Sequence, residues 1–342
     1  MPLTVGAPVA LLATLAVRAV ARNRRWLEQP GPDRLHARAI PRLGGVAMFG
    51  AYVITVLLTV RPLEWPVAGL LGGATVLVAA LVIDDLRGLR PRDKLLIQVV
   101  GAAVPLAFGI RIDSFSSPAL EGGVITLPLW LVVPATLFWT IGMMNAVNFM
   151  DGLDGLAAGV VAIAAAVLVV LSGRLGLPAV AELALALAAV ALGFLPLNIY
   201  RASIIMGDAG SHLLGFAIAT VAIMGPAKLA TAVLVLGVPI LDVAWSIVRR
   251  LARRGDVVQR DVEHLHHRLW EAGLPQPLVA LLYYGLAASA GLIALLVERL
   301  AKVYAFAGLA GLLALLLVVL ARLPRRRLIP RRSLAAPVAD PP

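Results

Sequence analysis

The sequence predicts an all-α integral membrane protein, a polytopic bundle of about eleven transmembrane helices with ten as the alternative count, and three observations carry that reading. Of the 342 residues, 61% are hydrophobic and only 14% are charged, against the ~25% charged that a soluble globular domain carries. Eleven stretches are apolar over roughly the ~20 residues that a membrane-crossing helix needs. They run over residues 3–21, 43–60, 64–83, 95–110, 127–147, 156–173, 178–197, 209–225, 228–248, 278–297 and 303–321. The basic residues then divide unevenly between the two sides that those stretches define. In a soluble chain the formal charge of +11 would suggest nucleic acid; here it reports orientation, and no nucleic-acid partner is expected.

Taken in order, the first stretch lacks a charged start and is followed by Arg22, Arg24, Arg25 and Trp26 rather than by a small-residue cleavage site. It therefore reads as an anchor with its N-terminus outside. Eleven crossings put the C-terminus in the cytoplasm. The inner segments receive the basic residues of 18–42, 87–94, 249–268 and 322–332 together with Arg201, which makes 24 of the 30. Arg61, Arg111, Arg174, Lys228, Arg299 and Lys302 are left outside, and no span has to be inverted to obtain this positive-inside pattern. Residues 111–126, with Ser, Gly and Pro around short β-prone pieces, are expected to form a small external β-hairpin. No long polar linker or internal repeat is visible, so residues 1–322 form a single transmembrane domain with cytoplasmic loops. Residues 323–342 form a basic, disordered cytoplasmic tail. The absence of cysteine excludes disulfides, zinc-thiolate sites, a thiol nucleophile and iron-sulfur clusters.

A charged side chain deep in a bilayer costs at least ~2.5 kcal/mol on insertion scales, so acidic residues at span ends need a reason. Four clusters stand out, and the orientation derived from Arg and Lys alone puts all four on the inner side. Asp84-Asp85 closes the third span, ahead of Arg87, Arg90, Arg92 and Lys94. Asn145 to Gly155, which includes Asn148, Asp151 and Asp154, closes the fifth. Met206-Gly207-Asp208-Ala209-Gly210-Ser211-His212 opens the eighth, and Asp261 to Leu269, with His264, His266, His267 and Arg268, lies in the loop after the ninth.

Each cluster also has a structural explanation. The aspartate pair could balance nearby Arg at a helix end. Asn145 and Asn148, three apart on one face, could hold helices together. The two Asp-Gly steps could be ordinary turns, Asp208 could cap its helix, and the histidines could belong to a solvated loop. Together they suit one task better. Carboxylates and amide carbonyls are hard oxygen ligands matched to Mg2+, which takes one or two carboxylates plus substrate phosphates and water. Backbone N–H groups from Gly207 to Ser211, at a helix start, would welcome a phosphate, and Arg42, Lys94, Arg268 and the histidines can offset further negative charge. The inventory is one for phosphoryl transfer at the inner membrane surface.

These residues also resemble the polyprenyl-phosphate N-acetylhexosamine-1-phosphate transferases, the MraY, WecA and TagO types. The likeness spans nearly the whole chain, from His36-Ala37-Arg38-Ala39-Ile40-Pro41-Arg42-Leu43-Gly44-Gly45 through Asp84-Asp85, residues 145–155 and 207–215, to residues 264–269. It implies transfer of a sugar 1-phosphate from a UDP-N-acetylhexosamine to undecaprenyl phosphate, with release of UMP, in a bacterial inner membrane. The Pro41-Arg42-Leu43-Gly44-Gly45 segment and the His-x-His-His-Arg arrangement at 264–268 look like the WecA and TagO branch, which uses UDP-N-acetylglucosamine. The muramoyl-pentapeptide branch usually shows Pro-Thr-Met-Gly-Gly and three adjacent histidines, a run that Leu265 interrupts here.

The resemblance implies roles for individual residues. Asp208 is the principal Mg2+ ligand and Asn148 a second, with Mn2+ as a substitute ion. Asp84 and Asp85 lie next to the lipid phosphate, one of them a candidate base, and Lys94 holds phosphate oxygens. Asp151, Asp154 and Asn198 line the nucleotide site, while His264, His266, His267 and Arg268 meet the sugar phosphate or diphosphate. Arg42, Asn145, Gly207 and Ser211 complete the substrate-binding set. Asp242 fits the pattern too, or simply answers Arg249 and Arg250 two turns on. A homodimer is compatible with this reading. The alternative of another class is a cation-coupled transporter, whose sites tend to lie near the midplane within repeats. A zinc hydrolase built on the histidines would lack the His-Glu-x-x-His run.

Overall fold

The computed structural model describes residues 1–29, 38–116, 124–225, 228–252, 264–297 and 299–322. The expected tail 323–342, the His36-Ala37 part of the first motif, and Asp261 and Glu263 of the fourth cluster lie outside the described residues.

Each of the eleven apolar stretches contains helix. In chain order these are α1 (Pro2–Asn23), α2 (Gly44–Thr59), α3 (Trp65–Arg87), α4 (Pro91–Ala107), α5 (Leu129–Met150), α6 (Leu156–Arg174), α7 (Pro178–Asn198) and α8 (Gly207–Ile223). They continue with α9 (Lys228–Val235), α10 (Gly237–Ala252), α11 (Leu265–Glu271), α12 (Gln276–Leu296) and α13 (Arg299–Arg322). Proline stands at the first or second position of α1, α3, α4, α7 and α12, where its missing N–H is no loss and its fixed φ suits the first turn.

Among the described residues, seven helices are long and apolar enough to cross a membrane, or eight if the bent α9–α10 pair is one span. The sequence expects eleven. The shortfall lies in α2, α4 and α8, of 16, 17 and 17 residues, and in the ninth stretch. That stretch is not one straight span: α9 and α10 meet at an angle of 77°, and the break falls just before Gly237 and Pro239. A second departure concerns the histidines, which the sequence places in a loop and which here lie at the start of, and along, the short helix α11.

The core sits around α8, whose residues from Ala209 to Ala222 are buried without interruption. A helix apolar on all sides is stable only when enclosed by others, and α2, α3, α5, α6, α7 and α9 enclose it. Small residues permit the closest crossing: a Cβ on Gly45 of α2 would run into the backbone of Gly210 of α8. The N–H groups of Gly44 and Gly45, which have no partner within α2, donate to the carbonyls of Ile205 and Met206 at 3.0 and 2.8 Å. The starts of α2 and α8 are thus joined.

Among the described residues there are also two short antiparallel strand pairs. β1 (Leu27–Glu28) pairs with β2 (Ile40–Pro41), Leu27 opposite Pro41, and delivers Arg42 to the start of α2. β3 (Ser114–Ser116) pairs with β4 (Val124–Thr126), Ser114 opposite Thr126, within the stretch where a hairpin is expected.

Candidate active site

Three carboxylates converge where α3 ends and α8 begins. Asp84, Asp85 and Asp208 each offer an oxygen, and these lie within 4.8 Å of one another. Asp84 and Asp85 are buried, at 3% and 7% exposure, so each needs strong partners. Asp85 accepts hydrogen bonds from the backbone N–H groups of Asp208 and Ala209, at 2.8 and 3.2 Å, one on each oxygen. Arg42 Nε lies 3.1 Å from the same carboxylate. A residue of α3 therefore caps α8, and the capping role open to Asp208 falls to Asp85 instead. Gly207 makes this approach feasible: its φ is +71°, and a Cβ there would stand 2.6 Å from Asp85 Oδ2. Asp84 accepts from Leu89 N–H at 2.6 Å and lies 2.7 Å from Lys94 Nζ.

That capping leaves the Asp208 side chain free to face the cations. Lys94 Nζ bridges Asp84 and Asp208, at 2.7 and 2.5 Å, and Arg42 Nη2 lies 3.9 Å from Asp208 Oδ1. From the last turns of α5, Asn148 Nδ2 donates to Ser211 Oγ at 2.8 Å and reaches Asp208 Oδ1 at 3.4 Å. Asp151, just beyond α5, is pushed well above the usual carboxylate range by loss of water and by the negative charges of Asp208 and Asp85. The second and third clusters are thereby brought to the first.

The fourth cluster arrives through α11. Asp242 on α10 accepts from Leu265 N–H at 3.0 Å, and its other oxygen lies 3.2 Å from His264 Nδ1. This carboxylate fastens the start of α11, and the sequence left its role open. The His264 ring packs on Phe149 at the end of α5, centroids 4.7 Å apart, and lies parallel to His266 at 5.8 Å. His267 meets His266 at 4.4 Å. Both His266 Nε2 and His267 Nε2 point at Gly152, where a Cβ would lie 2.6 and 3.2 Å from them. The buried His266 is held well below the ordinary histidine range by loss of water and by its histidine neighbours. Arg268 follows on the same helix, its N–H bonded to the His264 carbonyl at 3.0 Å.

Three expected site residues are turned to structural partners. Asn145 donates to Gln98 Oε1 at 3.0 Å and to Ile141 O at 2.8 Å, facing α4. Asp154 accepts from Ala202 N–H at 2.9 Å. Asn198 accepts from Gly155 N–H and donates to Ile204 O, both at 3.1 Å. These last two hold the 151–155 turn against the 199–206 segment, and Tyr284, whose hydroxyl donates to Gly155 O at 2.6 Å, closes the turn from α12.

Whether the site suits a divalent cation can be judged from its donors. Three carboxylates meet two cationic side chains, Lys94 and Arg42, so one negative charge is left over, and hard oxygen ligands of this kind suit Mg2+.

Residues 67–226 match the family described as glycosyl transferase family 4. Over 284 residues the chain is 34% identical to a probable undecaprenyl-phosphate N-acetylglucosaminyl 1-phosphate transferase of Bacillus subtilis, covering 80% of this chain and 78% of that protein. It is 34% identical over 313 residues to a decaprenyl-phosphate N-acetylglucosaminephosphotransferase of Mycobacterium tuberculosis, covering 81% and 76%. A phospho-N-acetylmuramoyl-pentapeptide-transferase of Synechococcus is 34% identical over 295 residues, covering 78% and 83%.

Proposed function

Because this chain belongs to the polyprenyl-phosphate N-acetylhexosamine-1-phosphate transferase family, we propose that it transfers N-acetylglucosamine 1-phosphate from UDP-N-acetylglucosamine to undecaprenyl phosphate. The products are undecaprenyl-diphospho-N-acetylglucosamine and UMP. The observation that carries this reading is the convergence of Asp84, Asp85 and Asp208 with Lys94 and Arg42 at the start of α8. The enzyme sits in a bacterial inner membrane with this site on the cytoplasmic face and its N-terminus outside, an orientation that the distribution of basic residues supports.

In the reaction a lipid phosphate oxygen attacks the phosphorus that carries the sugar. One P–O bond forms, the P–O bond to UMP breaks, and UMP leaves with the electron pair. The lipid phosphate has its second pKa near ~6, so it is already largely ionised at neutral pH, and positioning and electrostatics supply most of the catalysis. Lys94 and Arg42 draw the anionic substrates to the acidic cluster. Asp85, whose two oxygens hold the first N–H groups of α8, is better suited to positioning than to taking a proton. Asp208, with Asn148 beside it, would hold Mg2+, which when bound supplies charge neutralisation at the diphosphate. His264, His266, His267 and Arg268, packed on the 149–152 segment, serve the sugar diphosphate.

The test is to incubate the purified protein with Mg2+, undecaprenyl phosphate and a panel of UDP-sugars. UMP release with UDP-N-acetylglucosamine is the expected result. UDP as the main product would overturn the phosphotransferase reading, and preference for UDP-muramoyl-pentapeptide would move the chain to the branch of its Synechococcus relative.

A further inference from the structure

His212, one turn into α8 from Asp208, has no part in the chemistry above, yet it is buried at 2% exposure and both of its nitrogens are engaged. Nδ1 lies 2.7 Å from the Asp208 carbonyl oxygen and Nε2 lies 2.8 Å from Gln98 Nε2. Gln98 also exchanges hydrogen bonds with Asn145, whose amide donates to Gln98 Oε1 at 3.0 Å and to Ile141 O at 2.8 Å. Both ends of this chain of bonds are carbonyl oxygens, which can only accept, so every direction within it follows. His212 donates from Nδ1 to Asp208, Nε2 accepts from Gln98, and the imidazole is neutral.

The spacing adds a second observation. Lys94 and Gln98 are four apart on α4, and Asp208 and His212 are four apart on α8, so each pair lies on one face of its helix. The two faces meet as two rungs, Lys94 to the Asp208 side chain and Gln98 to His212. α4 packs on α3 and α5 and reaches α8 through these side chains. The lower rung, in which a buried donor without its acceptor would be costly, fixes the height of the upper one.

We propose that His212, held by Gln98 and Asn145, is a positioning residue that sets the first turn of α8 so that the Asp208 carboxylate is aimed at the cation. The proposal rests on the reading of Asp208 as the metal ligand. Residues that orient a metal ligand without touching the metal typically change metal affinity by ~10–100-fold when lost.

Binding of Mn2+ alone, followed by the loss of its free-ion paramagnetic resonance signal, tests this without reference to turnover. Asp208→Asn should abolish the high-affinity site. His212→Leu should weaken it at least about tenfold, and His212→Gln, which can still donate to the carbonyl and accept from Gln98, should restore it to within about threefold. Gln98→Met, which keeps the imidazole but removes its partner, should weaken binding in the same direction and serves if His212→Leu does not fold. Wild-type affinity in folded His212→Leu, or in Gln98→Met where that is the folded variant, overturns the positioning role while leaving Asp208 as ligand. Binding unchanged in Asp208→Asn overturns the metal reading and this proposal with it.

Discussion

At the scale of single residues, the neighbours Asp84 and Asp85 separate into different jobs that their adjacency in sequence conceals. Successive helical residues point about 100° apart, so one faces the start of α8 and the other faces Lys94. Asp85 is committed on both oxygens, to Asp208 N–H and Ala209 N–H. An amide at this position could accept only one of those bonds and would take from Arg42 the nearest of its carboxylate partners. Asp85→Asn should therefore lose activity equally from about pH 6 to pH 9, with no recovery above the lipid phosphate pKa of ~6, and should lower stability by at least about 1 kcal/mol as a lost cap does. Asp208→Asn should lose nearly all turnover over the same range while keeping the fold, since its carboxylate faces cations rather than the backbone. UMP release and thermal melting of both variants in detergent check the contrast. Recovery of Asp85→Asn at high pH would restore the general-base role to it.

At the scale of elements, the long helices were legible because continuous apolar runs bounded by Pro and charge admit little else. The bend at Gly237 was less so: the apolar run passes through it unbroken, and Gly237 with Pro239 was its only mark. α11 was missed because seven residues are too few to show a period, and β1 and β2, of two residues each, leave no pattern. The residues that converge around the starts of α2 and α8 were legible as a set of candidates, whereas their partners were not. Asp242, placed by α10 against His264, reads in sequence equally as part of the family pattern or as a charge balance for Arg249 and Arg250, and the roles of Asn145, Asp154 and Asn198 depend on neighbours far away in sequence.

The docking of α11 has a measurable consequence. His266 is buried as a neutral ring and its folded pKa is lowered, so the unfolded chain binds a proton that the folded chain refuses. Its contribution to stability is unaffected well above the unfolded value of ~6.5 and becomes unfavourable as pH falls below it, by up to about 1.4 kcal/mol per pH unit. Melting of the wild type should therefore fall more steeply than that of His266→Gln between about pH 6.5 and pH 5. Parallel curves would place His266 in contact with water and α11 away from Gly152.

At the scale of the whole molecule, the helices agree on a direction. α3 begins at Trp65 and ends at Asp84-Asp85, and α5 begins beside Trp130 and ends at Asn148 and Phe149. Both tryptophans are largely exposed, at 68% and 76%, and both stand at the ends of their helices away from the acidic cluster. Exposed tryptophan at a helix end suits a membrane interface, so the site and this aromatic pair occupy opposite faces of the bilayer. The sequence expectation, that 24 of the 30 basic residues lie on the side of the site and that short loops rich in Arg and Lys stay in the cytoplasm, predicts which face is which. Because the chain has no cysteine of its own, single cysteines can report on this without background. Arg61→Cys, just before α3, should react with a membrane-impermeant maleimide in intact cells. Arg90→Cys, between α3 and α4 and next to the acidic cluster, should react only after permeabilisation. The opposite pattern would turn the molecule over and put the acidic cluster outside. UDP-sugars and Mg2+ from the cytoplasm could not reach it there, so this one labelling experiment also bears on where the substrates must be supplied.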